Sequence, residues 1–346
     1  KMSELWDNRR KKWFFENDIY FLDQLEKTHL GKDDASALEL SRVGRQWLQI
    51  EKVKNNDYTP YIEIEGLKSA MCHFNYPLHF IDFETCMVAI PFYLGQRPYE
   101  QIAFQFSHHV MNKNGEVEHK NEFIEFERGK FPNFDFVKAL KIALENDGGT
   151  IFRYASHENT VLKQILKQIQ ETSKENLPEK DELTDFILSI TDDADRTMID
   201  MLMLVKKYYY HPKMKGSNSI KAVLPAIMES DYVRSKYSQP ISVINISSKN
   251  YPDDMVWCRI NEEGCVIDPY KLLGKVFDDL EIPEDDTDTE TVADGGAAMT
   301  AFARMQFADM PENQRNAIIG SLKRYCELDT LAMVIIYDYF RNEIGL

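Results

Sequence analysis

The feature that most constrains this chain is a run of thirteen residues, LHFIDFETCMVAI (78–90), in which two acids sit inside an otherwise apolar stretch. Its aromatic and β-branched residues, bounded by Pro77 and Pro91, predict a buried strand. Residues i and i+2 of a strand point to the same face, so Asp82 and Glu84 project together. Burying two like charges is costly unless a cation binds them. A D-x-E triplet alone is weak, since Asp279/Glu281 and Asp288/Glu290 repeat it within the acidic run DDLEIPEDDTDTE (278–290). That run reads as a solvated loop, whereas Asp82 and Glu84 are embedded in HFIDFETCMV and cannot easily be solvated.

The surrounding pattern predicts an α/β core. EQIAFQFSHHVM (100–111) and EVEHKNEFIEF (116–126) read as a hairpin across NKNG. A helix follows over 134–146, a short strand over 149–156 and a helix over 157–173. The order β-β-β-α-β-α predicts a ribonuclease-H-like mixed sheet flanked by helices, occupying 76–346. Residues 1–75 read as a helical N-terminal arm or connector, and 227–291 as an insertion containing a small hairpin over 256–270. MIDMLMLVKKYYY (198–210) reads as helical or mixed, GSNSIKAVLPAIMES as a capped helix, and the C-terminal region as two helices, the second long and apolar on one face.

Two further acids join the first pair as candidates. Glu158 opens the helix after GTIFRYAS, where a carboxylate can also serve simply to complement the helix dipole. Asp329 lies in RYCELDTLAM, one turn after Tyr325 on the same helix face, among Leu328, Leu331, Ala332 and Met333. Converging carboxylates of this kind suit a pair of Mg²⁺ or Mn²⁺ ions.

These residues resemble the 3′–5′ exonucleases of the DEDD group in the ribonuclease-H-like superfamily, the branch whose last motif is Tyr-x-x-x-Asp. The resemblance covers roughly residues 77–343 and is closest to an uncharacterised bacterial family marked by YPLHFIDFET, PYEQIAFQFSHHV, GSNSIKAVLP and YCELDTLAMV. Members of that family often carry a RecB-like nuclease region ahead of the core. The resemblance implies that Asp82, Glu84, Glu158 and Asp329 hold two metal ions and that Tyr325 orients the attacking water. Glu158 takes a place that is Asp in most of the superfamily, although a related branch uses Glu in a motif like YASHE; Asp200, in RTMIDMLML, is the alternative ligand. Phe83, equally readable as core, Thr85 and Lys221 of the SNSIK motif are the substrate contacts that the resemblance implies, and Gln105, on a strand of alternating polar residues, either pairs internally or lines the cleft. The implied activity is cleavage of single-stranded DNA or RNA from a 3′ end. The competing readings are a non-catalytic nucleic-acid-binding or assembly module, and an endonuclease or defence effector.

Composition trims the remaining choices. A net charge of −16 counts against wrapping of long duplex DNA, which depends on many Lys and Arg contacts. Arg153, Lys206, Lys207, Lys213, Lys215 and Lys221 are the basic candidates for phosphate, and Tyr208, Tyr209, Tyr210 and His211 could stack bases or equally be interior packing. Five cysteines at wide spacings predict reduced thiols rather than a zinc site. No apolar stretch approaches a membrane span and the opening KMSELWDNRRKKWFF lacks an export signal, so the expectation is a cytoplasmic protein without a membrane partner.

Overall fold

The computed structural model describes residues 1–33, 38–191, 194–273 and 292–346. The acidic run over 278–290, with its two D-x-E triplets, lies outside the described residues. The chain divides into two compact units, one formed by Lys1–His73, Met201–Arg234 and Ile335–Leu346, the other by Phe74–Asp200 and Ser235–Val334. The first 73 residues are therefore no separate arm, because two later segments of the chain complete the same unit.

The first unit holds α1 (Lys11–Glu16), α2 (Arg42–Lys54), β1 (Tyr61–Ile62), α3 (Ile64–Met71), α7 (Met201–Tyr208), β7 (Tyr209–Tyr210), α8 (Ile220–Ile227) and the start of α9 (Asp231–Tyr237). Ser41 caps α2 by accepting from the Gly44 N–H at 2.8 Å, and Val43 and Ile50, one face of that helix, pack with Phe14, Leu22 and Leu25. Arg45, 2% exposed, is the polar centre of this unit. Its guanidinium donates to the carbonyls of Val205 at 3.1 Å and Tyr209 at 2.5 Å and to the Asn218 side chain. It thereby meets carbonyls that the end of α7 leaves open, where a cation also suits the helix dipole. Tyr209 packs edge-on to Tyr339, and Tyr210 lies under Arg45. All three tyrosines 208–210 are buried, so of the two expected readings interior packing holds and base stacking does not.

The second unit is built on a six-stranded mixed sheet in the order β6-β5-β2-β3-β4-β8. The strands are β2 (Leu78–Cys86), β3 (Ile102–Met111), β4 (Val117–Ile124), β5 (Ile151–Arg153), β6 (Ile199–Asp200) and β8 (Ile246–Ser247). β2, β3 and β4 run antiparallel in sequence; β5 and β6 continue parallel beyond β2, and β8 pairs parallel with β4. Gly149 lets β5 lie beside β2: a Cβ there would stand 1.9 Å from the Pro77 carbonyl oxygen.

Strand alternation sends the two faces of this sheet to two helical layers. Ile81 and Phe83 pack into a core with α4 (Asn133–Leu144), α5 (His157–Glu171) and α6 (Lys180–Ile190). Cys86, Ile102 and Phe104 face α10 (Val292–Phe307) and the early part of α11 (Glu312–Glu343), with Phe104 stacked on Phe302 at 4.2 Å. The segment expected as an insertion supplies β8, and its hairpin reduces to one bridge, Ile260 to Val266. α6 is an element that the sequence reading did not place. Among the described residues no helix is long and apolar enough to cross a membrane.

Candidate metal centre

Asp82 and Glu84 lie on the middle strand of the sheet, on the face opposite Ile81 and Phe83. Their cross-strand partners are Ser107 and Gln105, and the β2–β3 register shifts between Glu84 and Thr85. Such a bulge ends the regular ladder and turns the following residues to new directions. Glu84 is buried and Asp82 is partly exposed. Cys326, on α11, places Sγ 3.7 Å from Asp82 Oδ2 and 3.6 Å from its carbonyl oxygen. Ligand atoms of Asp82, Glu84 and Cys326 all lie within 4.8 Å of one another.

Glu158 and Asp329, from two other stretches of chain, lie outside that group but act on Asp82 through their charge. Burial, and then the negative charges of Asp329, Glu158 and Glu84, hold the Asp82 carboxyl well above the usual carboxylate range. Glu158, 1% exposed at the second position of α5, is pushed up to about 8 chiefly by burial. The charges of Asp200 and Asp329 add to that rise, while Arg153 opposes it. Among the described residues Glu158 Oε2 finds no hydrogen-bond partner. A buried carboxylate oxygen without a donor costs on the order of 1–3 kcal/mol or more, and a cation would remove that cost.

The turn that delivers Glu158 explains Asp200. Ala155, between β5 and α5, has φ +69, a left-handed conformation costly for a residue with a Cβ. Asp200 Oδ1 accepts the Ala155 N–H at 2.9 Å, and Asp200 Oδ2 lies 3.3 Å from Arg153 Nη1. Asp200 thus braces the strained turn through Oδ1 and pairs with Arg153 through Oδ2, while Glu158 Oε2 is left without a donor among the described residues.

Oxygen donors suit Mg²⁺ and Mn²⁺; Asp82 and Glu84 stand close enough together to share an ion, and Glu158 and Asp329, whose charges act on Asp82, could take part. Tyr325, 8% exposed, occupies α11 one turn before Asp329. A second phenol, that of Tyr270, donates to Asp329 Oδ1 at 2.5 Å, and its ring centroid lies 6.4 Å from that of Tyr325. Sequence reasoning missed Tyr270, since its segment reads as insertion and only the returning chain brings it to the acids.

The expected substrate contacts fare differently. Phe83 is 3% exposed and packs edge-on to Phe136 at 4.9 Å, on the other face of the strand from the acids, so its side chain belongs to the core. Gln105 is 2% exposed and donates to the Leu322 carbonyl at 2.9 Å, so it ties β3 to α11 instead of lining a cleft. Thr85 is half-buried, with Oγ1 3.2 Å from Nε2 of the exposed His157. Lys221 lies in the first turn of α8, in the other unit. Of the remaining cations, Lys207 pairs with Glu39 at 2.8 Å, Lys213 with Glu229, and Lys215 with Glu4 at 3.5 Å.

Residues 79–219 match the model of a family described as a domain of unknown function, DUF2779. That span contains Asp82, Glu84 and Glu158 and ends before Tyr325 and Asp329. No curated protein and no solved structure matches the chain.

Proposed function

We propose that this chain is a metal-dependent 3′–5′ exonuclease with a ribonuclease-H-like core, hydrolysing phosphodiester bonds at single-stranded ends or in short oligonucleotides. The observation that carries the reading is the close pair Asp82 and Glu84 under the added charge of Glu158 and Asp329, with Glu158 Oε2 buried and, among the described residues, without a donor. A structural cluster would neutralise such an oxygen with an Arg, a Lys or a hydrogen bond; a metal centre leaves it for the ion. The three antiparallel strands followed by two parallel ones, with helices on both faces, support the ribonuclease-H-like reading of the core.

Two divalent ions bound there would supply an activated water and charge stabilisation for the departing 3′ oxygen. The protein's own part is to hold the ligands and aim the water. Asp82 and Glu84 come from a central strand, and Asp329 from the long helix α11. A phenol is a poor base at pH 7, so Tyr325 serves by hydrogen-bonding the water and setting its line of attack. Cytoplasm is the proposed place of action, in keeping with five unpaired cysteines.

The test is degradation of 5′-labelled linear and circular single-stranded DNA and RNA with Mn²⁺ or Mg²⁺, with Asp82→Ala beside the wild type. A ladder starting at the linear 3′ end, absent in the variant and on circles, supports the proposal. Cleavage of circles by the wild type would assign an internal bond instead. Intact substrates throughout, with folded protein and metal present, would move the assignment to a binding module.

A further inference from the structure

We infer that Tyr270 is a positioning residue of the carboxylate centre, setting the orientation in which Asp329 meets a divalent cation; this rests on the metal-centre reading above. An aspartate on a helix swings about two side-chain bonds, so whatever grips one oxygen fixes the direction of the other. Tyr270 Oη donates to Asp329 Oδ1 at 2.5 Å, the short length of a charge-assisted O–H···O⁻ bond. At neutral pH a phenol keeps its proton and is a donor toward a carboxylate.

The phenol arrives on a braced turn. Pro269 is buried, and Asp268 Oδ1 accepts the Tyr270 N–H at 3.0 Å at the start of the short helical turn Pro269–Leu272. The Tyr270 ring also lies 6.4 Å from Tyr325. The two tyrosines thus divide the work: Tyr325, on the helix with Asp329, faces the chemistry, while Tyr270, from a separate segment, governs the ligand. Outer partners of metal ligands act in this way by fixing ligand orientation, and their removal typically costs about 10–100-fold in metal affinity or activity.

The experiment is Mn²⁺ titration of the full chain by calorimetry, run with the Mn²⁺ dependence of oligonucleotide cleavage, for wild type, Tyr270→Phe and Tyr270→His. Phe keeps the ring and removes one oxygen. The expected result is a rise of about 10–100-fold in both the Mn²⁺ dissociation constant and the half-saturating Mn²⁺ concentration. Cleavage at saturating Mn²⁺ should stay within a few-fold of wild type. His, which restores a ring N–H donor, should recover part of the affinity. Wild-type Mn²⁺ affinity in Tyr270→Phe overturns the inference and leaves the nuclease reading standing. Should Tyr270→Phe not fold, Tyr270→His decides against wild type: unaltered Mn²⁺ affinity supports a donor at this place, and a loss as deep as that of Asp329→Asn overturns it. A folded wild type that binds no Mn²⁺ overturns both proposals together.

Discussion

Two buried glutamates, each 1% exposed, stand in opposite circumstances in the same unit. Glu327, on α11 between Tyr325 and Asp329, is surrounded by donors. It accepts from the Ser248 hydroxyl, from the Asn250 N–H at 3.1 Å and from the Asn250 amide at 2.8 Å, and His119 Nδ1 lies 3.0 Å away. Glu158 has an oxygen with no partner among the described residues and three other acids around it, Asp82, Asp200 and Asp329. Burial alone therefore does not mark a functional carboxylate. The satisfied one fastens α11 to the sheet and so sets the rotation at which Tyr325 and Asp329 are presented; the unsatisfied one is the carboxylate that the proposed function assigns to an ion.

The comparison can be broken by exchanging the two kinds of loss. Asp82→Ala is expected to lower cleavage by on the order of 10³-fold or more, since a metal centre supplies several kcal/mol of charge stabilisation to the transition state. The variant should also lose the Mn²⁺-induced rise in Tm. If Asp82→Ala cleaves like wild type, the acids are not the centre.

Glu327→Ala is expected to act on the fold instead. Removing the acceptor strands the Ser248 and Asn250 donors, at a cost of about 3 kcal/mol read from the urea midpoint. That loss should be the same with and without Mn²⁺. A Glu327 variant with full stability and no metal response would exchange the roles assigned here.

The two glutamates also separate by pH. The Glu158 carboxyl is raised to about 8 in the folded protein from an ordinary 4.5, so the folded state binds its proton more tightly than the unfolded chain does. That contribution to stability is fully present below the ordinary value and is lost as pH rises toward 8. Without metal, wild type should therefore lose stability relative to Glu158→Gln between pH 5 and 8, approximately, and Mn²⁺ should restore it most at the alkaline end. A flat difference in chemical denaturation across that range would contradict the assignment.

The smallest expected effect sharpens the turn that carries Glu158. Ala155→Gly relieves the left-handed conformation at φ +69 and is expected to stabilise the protein by about 1 kcal/mol. Destabilisation by the same change would show that the Cβ, and not the backbone, matters there.

Much of the second unit was legible because its signals are local. The strand over 78–86, the hairpin and α5 each carry a hydrophobic period that survives in one sequence. α6 has the same kind of signal, Leu183, Phe186, Ile187 and Ile190 all buried on one face, and it could have been read. β8 is two residues long and has no period to read. The tyrosines at 208–210 were singled out by residue type, and type does not tell whether an aromatic ring packs inward.

By itself, then, the sequence determined the α/β class, the pairing of Asp82 with Glu84 on one strand face and the one-turn spacing of Tyr325 and Asp329, because strand and helix periods act over a few residues. Only the tertiary structure decided that Phe83 and Gln105 belong to the interior, that Asp200 braces a strained turn and that Tyr270 reaches Asp329. Those outcomes depend on which segments return to the same place, and contacts between residues such as 270 and 329 leave no trace in the local pattern of either.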